Sequence, residues 1–252
     1  MPHSQAVSGA PSARVGLRSL VLLHGLMGAV SNWTDTASFF QGRYRTAPVA
    51  FSLFEAHSPY HSVPSLTDFA LQRMDDLGIR RTVLFGNSMG GQIALNMALQ
   101  APERVAALVL VGSAGLTERS LGDAAPLSPS RKYIYDRVRE CFHDECWATE
   151  SLVDEVHGLL GSTRNKLRLV KLARALREYN LYERLPEITC PALLVWGRQD
   201  TITPVVVAET FAERIPNARL HVLNECGHAP NIERSGEFNR LAEEFLVEIG
   251  YV

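Results

Sequence analysis

Four short, continuously apolar runs, each ending in glycine, constrain the fold of this chain more than any other feature. They are "SLVLLHG" from Ser19, "RTVLFG" from Arg81, "VAALVLVG" from Val105 and "PALLVWG" from Pro191. A strand that is apolar at every position is typical of a parallel sheet, in which helices cover both faces. The four runs therefore predict parallel strands in the interior of one sheet.

Weaker strand patterns and a series of helical patterns alternate with these runs. The weaker strands are "YRTAPVAF" from Tyr44 and "ARLHVL" from Ala218, and the helical patterns cover residues 64–77, 89–100, 204–215 and 236–249. Alternating strands and helices are typical of the α/β class. Because 252 residues with 46% apolar content can bury one large core, we expect one domain built on a mostly parallel, doubly wound sheet.

The alternation stops between residues 116 and 185, where helical patterns occur without a convincing strand. Apolar residues recur there at three- and four-residue steps over 130–142, 149–160 and 165–179. Open parallel sheets bind ligands at their carboxyl edge, so we predict a helical cap insertion over that edge; the alternative is a subdomain that serves stability alone. The predicted organisation is a flexible tail at 1–18, a core at 19–115 and 186–252, and a cap at 116–185.

Charge and cysteine content argue against several classes of function. The 25 basic and 27 acidic residues give a net charge of −2 without a long run of one sign, which predicts no nucleic-acid partner. The four cysteines include no CxxC pair, so neither a zinc site nor a disulfide framework is predicted. The start of the chain lacks the apolar segment of a secretory signal, and no later run reaches membrane-spanning length. These observations predict a cytoplasmic protein without a membrane partner.

The stretch "LFGNSMGGQ", from Leu84, places a serine between glycines where an apolar run ends. Gly86, Ser88 and Gly90 fit G-x-S-x-G, the sharp turn that lifts a serine hydroxyl between a strand and a helix. Such a turn strains the backbone of the serine and requires small residues on both sides of it. We therefore predict that Ser88 is a catalytic nucleophile; the alternative is an ordinary polar turn.

A nucleophilic serine needs a base, and the base needs a group that orients it. His228, in "NECGHAPNIE", lies in a loop just past the last predicted strand, and Asp200, in "VWGRQDTITP", lies just past a buried strand. We predict that His228 is the base and Asp200 the orienting acid. The alternatives are a surface-loop histidine and an aspartate that caps the following helix. His221 lies inside a predicted strand, where a structural role is expected.

A tetrahedral intermediate also needs N–H donors aimed at its oxygen. The backbone N–H of Met89, directly after Ser88, and that of Leu26, in the loop after the first strand, are the predicted oxyanion-hole donors. His24 is expected to brace this loop through hydrogen bonds. Met27 and Trp33 are predicted to line an apolar substrate pocket, although such side chains are equally at home in a core.

Together these residues resemble the serine α/β-hydrolase superfamily. The resemblance rests on "HGLMGAVSNW" for the oxyanion loop, "GNSMGG" for the elbow, "GRQDTITP" for the acid and "CGHA" for the histidine. It implies the α/β-hydrolase fold, a triad of Ser88, Asp200 and His228, and chemistry that needs no metal and no organic cofactor.

A longer stretch, "GNSMGGQIALNMALQAPERVAALVLVGSAGL", is similar to the meta-cleavage-product hydrolases, which split carbon–carbon bonds in ring-fission products of aromatic compounds. Those enzymes tend to carry tryptophan directly after the catalytic histidine, whereas this chain has Ala229. They also use a cap arginine to hold the carboxylate of the substrate. Four arginines of the predicted cap are available for that role, and no motif singles one out: Arg164, Arg168, Arg174 and Arg177.

The predicted function is therefore hydrolysis of a small-molecule substrate that carries an ester or a related carbonyl. Ser88 would attack the carbonyl, and an acyl-enzyme would follow. The alternatives are carbon–carbon hydrolysis of a vinylogous diketo acid, thioester or lactone hydrolysis, and a non-enzymatic small-ligand receptor. A receptor has no need of a strained serine, so the complete triad argues against that last alternative. The oligomeric state is left open.

Overall fold

A single sheet of six parallel strands forms the centre of the protein, within the residues that the computed structural model describes, 16–55, 61–116 and 129–252. The strands are β1 (Ser19–Leu23), β2 (Arg45–Val49), β3 (Thr82–Asn87), β4 (Val105–Val111), β5 (Ala192–Gly197) and β6 (Ala218–Leu223). Their order across the sheet is β2-β1-β3-β4-β5-β6. The predicted parallel sheet is confirmed. Most of the predicted tail and residues 117–128 of the predicted cap lie outside the described residues.

The described residues form nine α-helices. They are α1 (Thr34–Phe39), α2 (Val63–Asp76), α3 (Met89–Gln100), α4 (Arg131–Arg139), α5 (Glu150–Leu159), α6 (Thr163–Glu178), α7 (Val205–Arg214), α8 (Pro230–Glu233) and α9 (Ser235–Glu248). Each helical pattern in the sequence corresponds to one of these helices. The short helices α1 and α8 were not predicted, because six and four residues are too few to show a helical period. No described helix is long and apolar enough to cross a membrane.

The interior strands are buried on both faces, which explains their continuous apolar sequence. Successive side chains of a strand point to opposite faces, so Val21 and Leu23 join one core while Leu20 and Leu22 join the other. Helices α2, α3 and α7 contribute to the first core, and α1 and α9 to the second. The edge strand β2 contains Pro48, which an edge position tolerates because fewer ladder hydrogen bonds are required there.

Three of the described helices, α4 to α6, lie between β4 and β5, and we call residues 131–187 the helical insertion. Its helices α4 and α5 share a small core of their own, made of Ile134, Val138, Ala148, Val153 and Val156. Met27, in the loop after β1, packs against this core. At the other end, Gln92 of α3 donates hydrogen bonds from Nε2 to the carbonyl oxygens of Leu176 and Tyr179, at 2.9 and 2.8 Å. The insertion is thus attached at the carboxyl edge of the sheet.

Candidate active site

Ser88 occupies the turn between β3 and α3 in a strained backbone conformation. Its φ of 55° and ψ of −118° are angles that residues other than glycine rarely adopt. The turn is held because Ser88 donates its N–H to the carbonyl of Val111 at 3.0 Å and accepts N–H donors from Gly91 and Ala114. A backbone fixed in this way presents the hydroxyl at the carboxyl edge of the sheet.

The glycines around Ser88 are required by close packing. A Cβ atom on Gly90 would collide with the carbonyl oxygen of Leu23 in β1, and one on Gly86 would lie 2.5 Å from the carbonyl oxygen of Gly90. Helix α3 can therefore approach the sheet closely only because both residues lack a side chain. This is the physical basis of the G-x-S-x-G pattern in this chain.

The imidazole of His228 and the carboxylate of Asp200 form a buried hydrogen-bonded pair. His228 Nδ1 lies 2.8 Å from Asp200 Oδ2, and the two residues are only 7% and 5% exposed. Asp200 Oδ1 accepts the N–H groups of Ile202 and Thr203, and Oδ2 also accepts the hydroxyl of Thr203 at 2.9 Å. Four donors hold the carboxylate in one orientation, and Asp200 does not cap α7, whose N-cap residue is Pro204.

His24 stabilises the loop that follows β1. Its Nε2 accepts the N–H of Phe51 at 3.1 Å, so the ring proton must lie on Nδ1, which donates to the carbonyl of Gly25 at 2.8 Å. Burial lowers the pKa of His24 below its ordinary value and favours this neutral form. These bonds agree with the bracing role expected for His24.

The loop braced by His24 runs directly beside the serine. A Cβ atom on Gly25 would lie 3.3 Å from Ser88 Cβ, and Gly28 closes the turn by donating its N–H to the carbonyl of Gly25. Leu26 lies in this turn, and Met89 is the first residue of α3, where no preceding helical turn accepts its N–H. Leu26, Met89 and Ser88 all line one cavity. Their use as oxyanion donors stays a prediction.

A largely apolar cavity of about 160 Å³ joins these groups. Ser88 and His228 lie in its wall together with apolar residues of the loop after β1 and of the helical insertion, among them Leu26, Met27, Val138, Leu152, Val156 and Leu176. Arg177, near the end of α6, also lines the cavity, so the structure distinguishes it from the other arginines that the sequence left open. Cys141 lines it as well, and burial raises the pKa of its thiol to about 12, which keeps the thiol neutral.

The expectation that Trp33 lines the pocket is wrong. Trp33 is fully buried in the second core, where its ring lies against Phe85 and Phe238 with ring centroids 6.2 and 6.1 Å apart. This core lies on the face of the sheet opposite α3. A large aromatic side chain in a loop is compatible with either location, and only the path of the chain after Met27 decides between them.

Two residues of the site were missed in the sequence. Asn87 donates from Nδ2 to the carbonyl oxygens of Val111 and His228, at 3.1 and 3.2 Å, and so connects the elbow to the histidine loop. Thr203 supplies two of the four donors to Asp200. The position of Thr203 three residues after an acid was a usable signal, since short Asp-led turns commonly bond in this way. Nothing in the sequence marks Asn87 except its place beside Ser88.

Among the described residues, no group of three or more histidine, cysteine, aspartate or glutamate side chains is placed to hold a metal ion. The four cysteines are free. Among the described residues that line the cavity, the groups able to take part in chemistry include the Ser88 hydroxyl, the imidazole of His228 and the guanidinium of Arg177.

Comparison with known proteins identifies the family of this chain. The chain matches the alpha/beta hydrolase family over residues 20–241. It is 32% identical over 252 aligned positions to a 2-hydroxy-6-oxononadienedioate/2-hydroxy-6-oxononatrienedioate hydrolase from Burkholderia vietnamiensis, covering 92% of this chain and 88% of that protein. It is 35% identical over 189 positions to the 2-hydroxy-6-oxo-6-phenylhexa-2,4-dienoate hydrolase of Comamonas testosteroni, covering 69% of this chain and slightly less than two thirds, 65%, of that enzyme.

A solved structure shows the same architecture. The meta-cleavage product hydrolase from Pseudomonas fluorescens IP01 superimposes with a TM-score of 0.80 and 25% identity, covering 92% of this chain and 91% of that one. The family match spans the elbow, the buried imidazole–carboxylate pair and the loop braced by His24. The chain therefore belongs to the alpha/beta hydrolase family.

Proposed function

We propose that this protein is a serine hydrolase that cleaves carboxylic esters through an acyl-enzyme. The observation that carries the proposal is the convergence on one apolar cavity of Ser88, of the His228 ring bonded to Asp200, and of the loop containing Leu26. These groups lie far apart in the chain. Their convergence supplies the nucleophile, base, orienting acid and N–H donors that acyl transfer needs.

The proposed reaction begins with attack of Ser88 Oγ on the ester carbonyl carbon, while His228 Nε2 takes the hydroxyl proton. Because Nδ1 is bonded to Asp200, the ring presents Nε2 on its opposite edge, and the carboxylate stabilises the imidazolium that forms. The N–H groups of Leu26 and Met89 stabilise the oxyanion of the tetrahedral intermediate. Collapse of the intermediate breaks the ester bond, and the alcohol leaves with the proton from His228. Water then repeats the sequence and releases the acid.

The proposed substrate is a small molecule with an apolar group on the acyl side. The cavity wall offers thioether and aliphatic side chains, including Met27, Leu152 and Val156. The helical insertion supplies two of these three residues, so we propose that it acts as a cap that shapes the pocket. Thioesters and lactones present the same carbonyl chemistry and belong to the same test.

A second candidate is carbon–carbon hydrolysis of a vinylogous diketo acid, favoured by the names of the relatives in Burkholderia and Comamonas. The guanidinium of Arg177 at the cavity could pair with the carboxylate of such a substrate. Ala229, in place of tryptophan, is a departure from that group of enzymes. The ester reaction requires only the triad, the N–H donors and the apolar wall, and we therefore place it first.

The test combines active-site labelling with a substrate panel. We expect a fluorophosphonate to modify Ser88, and Ser88→Ala to lower kcat by about a million-fold, as in a related type of triad, with an unchanged melting temperature. Ser151→Ala, at an exposed position of α5, is the matched control. The panel sets p-nitrophenyl esters, thioesters and lactones beside a 2-hydroxy-6-oxo-dienoate.

Each outcome of this test has a defined meaning. Faster turnover of the dienoate than of every ester would replace ester hydrolysis with carbon–carbon hydrolysis. A wild-type protein that binds panel compounds without turnover and without labelling would instead support the receptor alternative.

A further inference from the structure

We infer that Glu233 is a positioning residue for His228. It holds the imidazole in place by joining the helical insertion to residues 224–229, the loop between β6 and α8 that carries His228, which we call the histidine loop. Glu233, the last residue of α8, is only 8% exposed. Its Oε1 accepts the backbone N–H groups of His143 and Asp144, both at 2.7 Å. Its Oε2 accepts the N–H of Gly227, directly before His228, at 2.5 Å. This inference rests on the proposed function of His228.

A second contact joins the same two segments without Glu233. The N–H of His228 donates to the carbonyl oxygen of Cys141 at 2.8 Å. A Cβ atom on Gly227 would lie 2.7 Å from that same oxygen and 2.8 Å from Phe142 Cα, so the two backbones touch and only glycine fits between them. We call the bonds made by Glu233 together with the Cys141–His228 bond the latch.

The carboxylate of Glu233 is the essential part of the latch, because it is the shared acceptor of three N–H groups. Three N–H donors from two distant segments converge on it, and hydrogen bonds to a charged acceptor are about twice as strong as neutral ones. Removal of the carboxylate would leave these buried donors without acceptors. Because Gly227 and His228 are consecutive, loss of the Gly227 bond displaces the backbone that carries the imidazole.

The latch also connects the cavity wall to the base. Cys141 and Phe142 line the cavity. The next two residues, His143 and Asp144, donate their backbone N–H groups to Glu233. On its other side, the carbonyl of His228 accepts the side chain of Asn87, next to the nucleophile. The position of the insertion over a bound substrate is therefore coupled to the position of the imidazole. A misplaced base slows the chemical step more than it weakens substrate binding.

The test compares Glu233→Gln with Glu225→Gln. The glutamine is the same size but offers its NH₂ group to backbone N–H donors, so part of the latch is lost. Glu225 lies on the same loop, and its carboxylate is exposed and paired with Arg234 at the surface. Three quantities are measured on folded protein: the fluorophosphonate labelling rate of Ser88 across pH, kcat and KM for an ester, and the downfield proton NMR resonance of the His228 Nδ1–H.

We expect Glu233→Gln to lower the labelling rate and kcat by about tenfold to a hundredfold, the loss that an error of about 1 Å in placement can cause. KM should change by less than about twofold, and the His228 resonance should shift or broaden. Glu225→Gln should match the wild type in all three quantities. A folded Glu233→Gln protein with wild-type labelling rate, kcat and resonance would overturn the inference.

Two further arms keep the test decisive. If Glu233→Gln does not fold, Glu233→Asp takes its place, because its shorter carboxylate cannot reach Gly227 and the insertion together. Slower labelling than in the wild type supports the latch, and an unchanged rate contradicts it. Absence of labelling in the wild type would refute the proposed function instead, and the NMR resonance of His228 would still report whether Glu233 positions the ring.

Discussion

At the scale of single residues, the candidate site depends on side chains whose hydrogen-bonding groups are almost fully used. Both oxygens of Asp200 have two partners each, and one of these is the ring of His228. Neither nitrogen of His24 is left without a partner. Such groups hold one orientation, because any rotation would break bonds that a buried site cannot replace with water.

Asp200→Asn should lower kcat by up to about ten-thousand-fold, the loss seen when a triad acid becomes an amide. The amide can offer its NH₂ to His228 Nδ1 and so favour the wrong tautomer of the ring. Steady-state kinetics on the best ester measures the effect, with Asp35→Asn, an exposed position, as the control. An Asp200→Asn enzyme within tenfold of wild type would move the role of the acid to another carboxylate.

The buried His24 should make stability depend on pH. Burial lowers its pKa below the ordinary 6.5, so in acid the unfolded chain binds a proton that the folded chain does not. Its contribution to the free energy of unfolding is complete above pH 6.5 and is lost as the pH falls from 6.5 toward the lowered pKa of the folded state. Melting temperatures between pH 7.5 and pH 5.5 should therefore fall less for His24→Gln than for the wild type. An equal decrease in melting temperature for His24→Gln and the wild type would contradict the lowered pKa of His24.

At the scale of elements, interior strands and long helices could be predicted from sequence, whereas short elements could not. The apolar runs from Arg81 and Val105 predicted β3 and β4 because an interior strand of a parallel sheet is buried at every position. The helix predicted at 89–100 has the bounds of α3. Helices α1 and α8 exist because the surrounding chain packs them, and no local pattern indicated them.

The close packing of α3 on β1 gives a prediction for Gly90. In Gly90→Ala the new methyl group would collide with the carbonyl of Leu23, so α3 must shift and carry Ser88 with it. We expect a loss of about 1–3 kcal/mol in the free energy of unfolding, typical of overpacking, together with a loss of activity. Urea denaturation and ester kinetics measure the two effects, and Gly236→Ala, where a Cβ meets open space, is the control. Full activity in Gly90→Ala would contradict the packing argument.

At the scale of the whole molecule, two cores flank the sheet and a third, small one lies within the helical insertion. The insertion is attached to both parts of the candidate site. Gln92 binds the carboxyl end of α6 to the helix that follows Ser88, and Glu233 binds the segment after α4 to the loop of His228. Movement of the insertion would therefore act on the nucleophile and the base together.

The separation of core from cavity gives opposite predictions for Trp33 and Met27. Trp33→Ala should lower the free energy of unfolding by about 3–5 kcal/mol, the cost of removing a buried aromatic ring, with little change in KM. Met27→Ala should raise KM with a smaller loss of stability, because Met27 is only partly buried and lines the cavity. Chemical denaturation and ester kinetics of both variants check this. A raised KM in a folded Trp33→Ala protein would return Trp33 to the pocket.

The residues of the candidate site could be predicted where a local sequence pattern is typical of a single role. The elbow around Ser88 is such a pattern, because its glycines are required by the turn itself. Asp200 and His228 follow strands that end at the same sheet edge, so their meeting followed from the fold. No motif in the sequence singles out Glu233. The proposed role of Glu233 depends on its hydrogen bonds with the backbone of His143 and Asp144, about ninety residues away in the sequence. No local sequence pattern indicates a contact over that distance.

The sequence alone thus determined the class of fold, the order of its long elements and the turn that carries Ser88. Each of these follows from periodicity and from the backbone limits of neighbouring residues. Only the tertiary structure decided that Trp33 belongs to a core, that Arg177 lines the cavity and that Glu233 joins the insertion to the histidine loop. The locations of these three side chains depend on which distant segments of the chain pack together. Each side chain is compatible with several environments, so its own sequence position does not determine which one it occupies.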